Sequence, residues 1–362
     1  MIYINGRFLT QRLTGVQRFA YEMFRALLIS SPTQFCVLVP PAKIDAAYDV
    51  SNWPIKVIGK LKNSLWEQLD LPFFLVRNNK PLLISLVNTA PCFYSNQIVS
   101  ILDMTTFVNP RWFNYLFAAY YKVIVPRIAK NSLKVITISE HSKQDILKYV
   151  DIPGEKIDVI HCAVSDKFLE RSALDQGAGQ FLDRLGVEKE GYILGVSSLD
   201  PRKNFRALIE AYLLLDSDLP LVIVGSKGKA FADNNLDGLL SSERIIFTGY
   251  VEDDDLILLY QAAKCFVYPS LYEGFGMPPL EAMACGSATI VSNTSSMPEV
   301  CGSASLYVDP LDVVSIKDAM SKLLSDNELR KKLIDLGKDR CRIYSWNASS
   351  EKLKVIIERN LR

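Results

Sequence analysis

Two glutamates, Glu273 and Glu281, bracket the run EGFGMPPLE, which directly follows the apolar stretch KCFVYPS. Gly274 and Gly276 leave their amides open to a ligand, and Pro278 and Pro279 suit the first turn of a helix. That places Glu281 one turn inside the helix and Glu273 in the loop before it. Carboxylates accept hydrogen bonds from hydroxyls, so ribose and sugar hydroxyls are natural ligands. The amides and the positive helix end between the two suit phosphate. A second run, VSSLDPRKNFRALIEAY, ends a strand at Ser198, turns at Pro201 and presents Arg202 and Lys203 just before a helix. An arginine fork beside a lysine point charge fits a diphosphate. A third, T-G-V at 14–16, opens a helix near the start. Backbone amides at such a glycine turn can hold a phosphate, although glycine there also serves as permissive backbone alone.

The elements that would carry these residues alternate along the chain. FCVLVP (35–40), PLLISLV (81–87), QIVSIL (97–102), LKVITIS (133–139) and KIDVIH (156–161) read as buried strands. Helical patterns lie at 15–30 and 139–150, the second capped by Ser139. A second series of strands runs GYILGVSS (191–198), LPLVIVG (219–225), RIIFTGY (244–250), KCFVYPS (264–270), ATIVSN (288–293) and SLYVD (305–309). FRALIEAYLLL, DDLILLYQAA and PPLEAMACG between them keep helical spacing. Continuous apolar strands separated by helices predict parallel sheets covered on both faces. The expectation is an α/β chain of two doubly wound domains: 1–165, a linker at 166–190, and 191–345. A terminal helix at 346–362 is free to pack on either. Facing domains would line a cleft with the carboxyl ends of both sheets, where ligands of open α/β sheets bind.

Composition narrows the class. The 362 residues hold 41 basic and 40 acidic side chains, which speaks against a dedicated nucleic-acid binder. The balance hides an asymmetry, +7 over residues 1–165 and −6 over the remainder. Much of the positive charge sits in RWFNYLFAAYYKVIVPRIAKNSLK, where cations alternate with aromatics. Such a stretch fits either a helix with a solvated basic face or an anionic membrane surface. No apolar run is long enough to span a bilayer, and no signal peptide is apparent. Seven cysteines without a C-x-x-C pair and only two histidines suggest reduced thiols in a cytoplasmic protein without a metal centre. The acidic run at 252–255 reads as a helix start. Neither G-x-G-x-x-G nor G-x-x-x-x-G-K-[ST] occurs in the expected place, which argues against nicotinamide dehydrogenases and P-loop ATPases.

With these motifs in view, the chain resembles retaining glycosyltransferases of the GT-B fold, the large group marked by Glu, seven residues, Glu. Bacterial mannosyl-, glucosyl- and rhamnosyltransferases belong to it. The likeness extends to TGVQRFAYEM, TISEHSKQDI, PRKN, IIFTGYVEDDDLILLYQAA and YSWNASSEKL. It implies that the first domain takes a glycan acceptor and the second a UDP-, GDP- or dTDP-sugar, with no resident cofactor or metal. Lys203 and Arg202 would neutralise the diphosphate. Glu281 would hold the ribose, and Glu273 the hydroxyls of the transferred sugar. Amides of Gly274, Phe275, Gly276 and Met277 would touch sugar or phosphate. Gly15 would bring the amino-terminal loop to the phosphate, and the turns at Gly225 and Tyr250-Val251 would flank the base.

Two positions depart from the group. Ser198 stands where many relatives carry Arg, so Arg202 would substitute. Leu102-Asp103 stands where many have His-Asp. An apolar Leu102 in that place favours a 6-deoxy sugar such as rhamnose, and Asp103 would assist near the acceptor. The implied reaction is retaining hexosyl transfer to a growing bacterial surface polysaccharide. Its acceptor would be lipid-diphosphate-linked, at the inner face of the cell membrane. The competing reading is a non-catalytic sugar-nucleotide-binding or assembly subunit with the same fold.

Overall fold

Among the described residues, short buried runs form thirteen strands in two parallel sheets. The computed structural model describes residues 1–31, 33–170, 178–196, 200–225 and 242–361. The first sheet contains β1 (Ile2–Asn5), β2 (Phe35–Val39), β3 (Ile55–Val57), β4 (Leu83–Ser85), β5 (Gln97–Ser100), β6 (Lys134–Thr137) and β7 (Ile157–Val159). Its order is β3-β2-β1-β4-β5-β6-β7. The second contains β8 (Ile193–Val196), β9 (Leu221–Val224), β10 (Ile245–Gly249), β11 (Cys265–Tyr268), β12 (Thr289–Ser292) and β13 (Ser305–Val308), ordered β10-β9-β8-β11-β12-β13. Parallel strands need covering helices on both faces, which is why the inner strands are mostly apolar and buried while the edge strands β3, β7 and β10 are more exposed. The α/β, doubly wound expectation holds in both sheets. Chain order reverses between β1 and β4 in one and between β8 and β11 in the other. The crevice outside the carboxyl ends at such a reversal is where this architecture binds ligands.

Helices follow the sequence signals closely. Gly15–Ser30 is a helix, and Ser139 caps Glu140–Tyr149 by accepting from Ser142 N at 3.0 Å. Pro278 and Pro279 open the helix Met277–Ala284, and Asp253, Asp254 and Asp255 fill the first turn of Asp253–Ala262.

The chain divides into two units, Met1–Cys162 with Ser345–Arg362, and Ala163–Tyr344. The stretch read as a linker contains the helices Asp166–Glu170 and Ala178–Leu185 and belongs to the second unit. Phe168, Leu182 and Val187 are buried, which an extended connection would not achieve; residues 171–177 lie outside the described residues. The last helix, Trp346–Asn360, packs on Gly15–Ser30 in the first unit. There Trp346 meets Phe19 with ring centroids 6.1 Å apart, and Ser349 Oγ donates to the His161 carbonyl at 2.8 Å.

A feature with no clear sequence signal holds the first sheet's edge. A π-helical turn, Trp66–Asp70, interrupts the helical run 63–77. Its first three side chains reach the ends of β3 and β1 and the loop between β4 and β5. Trp66 Nε1 donates to Ile58 O at 2.8 Å. Glu67 Oε1 accepts from Asn5 Nδ2 at 2.8 Å and lies 3.2 Å from Arg7 Nε. Gln68 donates to Ala90 O and accepts from Cys92 N, both at 2.9 Å. Gln68→Ala would leave that carbonyl and amide without their partner, an expected loss of about 1–3 kcal/mol. The check is a lowered thermal midpoint with unchanged far-ultraviolet dichroism; an unaltered midpoint would show that the clamp is dispensable.

Candidate functional site

The reversal point of the second sheet gathers the charged residues. After β8, Asp200 accepts from Arg202 N at 3.1 Å and caps a single turn, Pro201–Lys203. Asn204 ends that turn in the left-handed conformation, at φ 59°. Its amide donates to the carbonyls of Pro269 at 3.0 Å and Pro310 at 2.7 Å. Leu271 N closes the contact by donating to Arg202 O at 2.7 Å. The turn after β8 is thus fixed against the loop after β11.

Lys203 and Glu273 meet there, both under one-tenth exposed. Lys203 Nζ donates to Glu273 Oε1 and to Tyr268 Oη, each at 2.6 Å. Oε1 also accepts from Tyr268 Oη at 2.8 Å and Ser270 Oγ at 2.7 Å, and Oε2 accepts from Arg202 Nη1 at 3.3 Å. Burial pushes the Glu273 carboxyl up. Lys203 and Arg202, with hydrogen bonds from Lys203 and Ser270, more than reverse that and hold it at about 2. Burial lowers the Lys203 ammonium, and the Glu273 carboxylate opposes the fall. Lys203, read as a phosphate ligand, and Glu273, read as a sugar ligand, are joined in one ion-paired cluster. Two of the three ammonium protons are committed, which leaves one for an anion, and Oε2 keeps acceptor capacity for a hydroxyl.

The loop after Glu273 is pinned from below. Glu273 N donates to Ser295 Oγ at 3.1 Å, and Ser296 Oγ donates to the carbonyls of Glu273 at 3.0 Å and Phe275 at 2.8 Å. Phe275 is buried edge-on against Tyr344, with centroids 5.4 Å apart. Gly276 has φ 107° and precedes the helix Met277–Ala284, whose start no side chain caps. A Cβ there would lie 2.1 Å from Met297 Cε. Gly276→Ala must therefore displace Met297 and adopt a backbone that alanine disfavours by about 1–2 kcal/mol. The expected result is a raised KM for the donor with a modest loss of stability; unchanged kinetics would show that this loop geometry is not needed. One turn into the helix, Glu281 Oε2 accepts from Tyr260 Oη at 3.4 Å. Burial, reinforced by Glu281, pushes the Tyr260 hydroxyl far up, so it remains a donor.

The other expected residues are spread more widely. Gly225 and Gly249 pair backbone to backbone at 2.9 Å, which brings Gly225 close in the fold to Tyr250 and Val251; residues 226–241 lie outside the described residues. Tyr250 is exposed, and its hydroxyl donates to Glu252 at 3.5 Å. Ser198 lies outside the described residues. Gly15 and Asp103 belong to the first unit. Gly15 starts its helix with open space where a Cβ would sit. Asp103 Oδ1 accepts from Thr105 N at 2.9 Å and so caps its own turn. Leu102 is buried. Tyr268, Ser270, Ser295 and Ser296 were not anticipated; Tyr268 and Ser270 lie in the strand run KCFVYPS, whereas the two serines reach the loop only through β12 pairing beside β11.

Residues 182–340 match the family of glycosyl transferases group 1. The chain is 32% identical over 257 residues to O-antigen chain mannosyltransferase B of Escherichia coli, covering 69% of this chain and 66% of that protein. It is 36% identical over 220 residues to the serotype-specific mannosyltransferase WbdA of Escherichia coli, covering 59% of this chain and 27% of the relative. The chain thus spans less than two thirds of either relative. Among solved structures, Anabaena HepE in complex with UDP and glucose superposes with a TM-score of 0.79 at 14% identity, covering 99% of this chain and 98% of that one. That likeness is one of fold, and the fold is GT-B.

Proposed function

We propose that the chain moves a hexose, mannose before glucose, from a nucleotide diphosphate sugar to a hydroxyl of a growing bacterial surface glycan, with retained configuration. The observation that carries the reading is the Arg202–Lys203–Glu273 cluster, with Lys203 and Glu273 buried, at the reversal point of the second sheet. The names of the O-antigen mannosyltransferase relatives favour mannose. Leu102 is buried, so the 6-deoxy alternative rests on the sequence departure alone.

In this reaction negative charge grows on the leaving diphosphate while the sugar takes on oxocarbenium character. Lys203 and Arg202 stabilise that charge together with the amide that starts Met277–Ala284, so no metal is required. Glu273 has two tasks. Oε2 orients the sugar hydroxyls, and Oε1 keeps Lys203 protonated in a setting that favours the neutral amine. Glu281 holds the ribose. The leaving phosphate takes the acceptor's proton. The acceptor is lipid-diphosphate-linked and binds the basic first unit at the cytoplasmic membrane surface. Among the described residues no helix is long and apolar enough to cross a membrane.

The test is thermal shift and slow hydrolysis across UDP-, GDP- and dTDP-sugars in EDTA. Stabilisation by one nucleotide family, with release of mannose, is the expected result. Stabilisation without turnover, even with a lipid-linked acceptor supplied, would favour the non-catalytic subunit. No response to any donor would remove the assignment.

A further inference from the structure

In the first unit, Leu65, Leu69, Phe73 and Val76 recur at helical spacing along residues 63–77, yet each is more than half exposed. On the helix Tyr115–Asn131, Leu116, Tyr120 and Val123 form a second exposed stripe. The two helical segments are tied together. Tyr120 bonds to Ser64, Gln68 grips the loop at Ala90 and Cys92, and Asn131 donates to Cys92 O at 2.8 Å. Phe93, 89% exposed, projects from that loop. At one end an apolar groove of about 590 Å³ runs beside Phe73 and Phe74. Cations stand over both rings, Arg77 at 4.2 Å from Phe73 and Lys56 at 5.0 Å from Phe74.

The charge around this surface has one sign. From Ser51 to Asn131 the chain has nine Lys and Arg but three acids. Each acid is turned inward: Glu67 into its clamp, Asp70 onto the amides of Lys60 at 2.7 Å and Leu61 at 2.8 Å, and Asp103 onto Thr105. Lys60, Lys62, Arg77, Lys80, Lys122 and Arg127 remain exposed. An isologous dimer through this face would set like charges against each other. Apolar side chains ringed by cations fit instead the boundary between acyl chains and anionic headgroups.

We infer that this face, built from residues 63–77, Phe93 and the helix Tyr115–Asn131, docks on an anionic phospholipid surface. The inference deepens the membrane-side part of the proposed function and uses none of the donor-site residues. The whole chain should sediment with phosphatidylcholine vesicles containing phosphatidylglycerol and not with phosphatidylcholine alone, and added salt should release it. Each basic side chain near the surface is worth roughly a fivefold change in partitioning. Reversing Lys60, Lys62 and Arg77 to glutamate should therefore cost at least tenfold. Leu69→Ser with Phe73→Ser should weaken binding similarly, and both variants should keep the wild-type response to sugar nucleotides. No binding by the wild type, equal binding to neutral vesicles, or variants that bind like wild type would overturn the inference. So would a concentration-dependent dimer abolished by the same substitutions, which would assign the face to a second copy. If donors fail to stabilise the chain while vesicle binding holds, the enzymatic reading falls and this surface stands.

Discussion

Glu273→Gln is expected to lower kcat/KM for the donor by about a hundredfold to a thousandfold, as when one preorganised electrostatic contact is lost. It should also destabilise the second unit. Lys203 would remain buried without its countercharge, a situation that costs about 3–5 kcal/mol, or roughly 10 °C in thermal midpoint for a unit of this size. The pH dependence follows from the carboxyl's depression from 4.5 to about 2. A carboxyl lowered on folding adds stability that is fully present above its unfolded value and is lost as pH falls through the folded one. The wild type should therefore lose a contribution of about 3 kcal/mol between pH 4.5 and about 2. The glutamine variant should lack that component. Thermal midpoints measured across the window decide it; parallel curves for the two proteins would mean that Glu273 is not held by its cations.

Combining Lys203→Met with Glu273→Gln separates structure from chemistry. Lys203→Met alone leaves the carboxylate with Arg202 as its paired cation, and Glu273→Gln alone leaves the ammonium with only the weaker influence of Asp200. Removing both takes away the pair and its desolvation together, which is often close to neutral for stability. The double variant should be more stable than the sum of the single losses predicts, with a coupling of about 1–3 kcal/mol. Its transferase activity should stay as low as that of the worse single variant. Strict additivity in stability would mean the two side chains act independently, against the 2.6 Å contact. Recovery of activity along with stability would remove both from the chemistry.

What the sequence revealed and what it hid follow from the range of the interactions. The strands and the helix Met277–Ala284 are written locally, in apolar runs, paired prolines and caps, so their bounds fall within a few residues of expectation. Arg202 and Lys203 stand out as paired cations at the Pro201 turn, and Glu273 and Glu281 as carboxylates around a glycine-containing loop. Ser295 and Ser296 carry no such mark; an S-S pair after a strand is ordinary until parallel pairing sets it under the Glu273 loop. The turn at 66–70 defeats periodicity in another way. Its extra residue breaks the helical register, and the apolar residues that keep i, i+4 spacing face outward while Trp66 and Leu71 face inward. The clamp made by Trp66, Glu67 and Gln68 could therefore not be read from spacing.

The return of Trp346–Asn360 to the first unit makes the second unit an insertion within the first. Residues 163–344 emerge as one uninterrupted stretch and can fold as soon as they are translated. The first unit must wait, because Phe19 and the His161 carbonyl meet Trp346 and Ser349 only after the entire other unit has been made. A nonsense mutation just before Ser345 would thus spare the second unit and leave the first without its closing helix. During synthesis the half with the exposed apolar stripes is the later one to be secured, and so the one more in need of a chaperone.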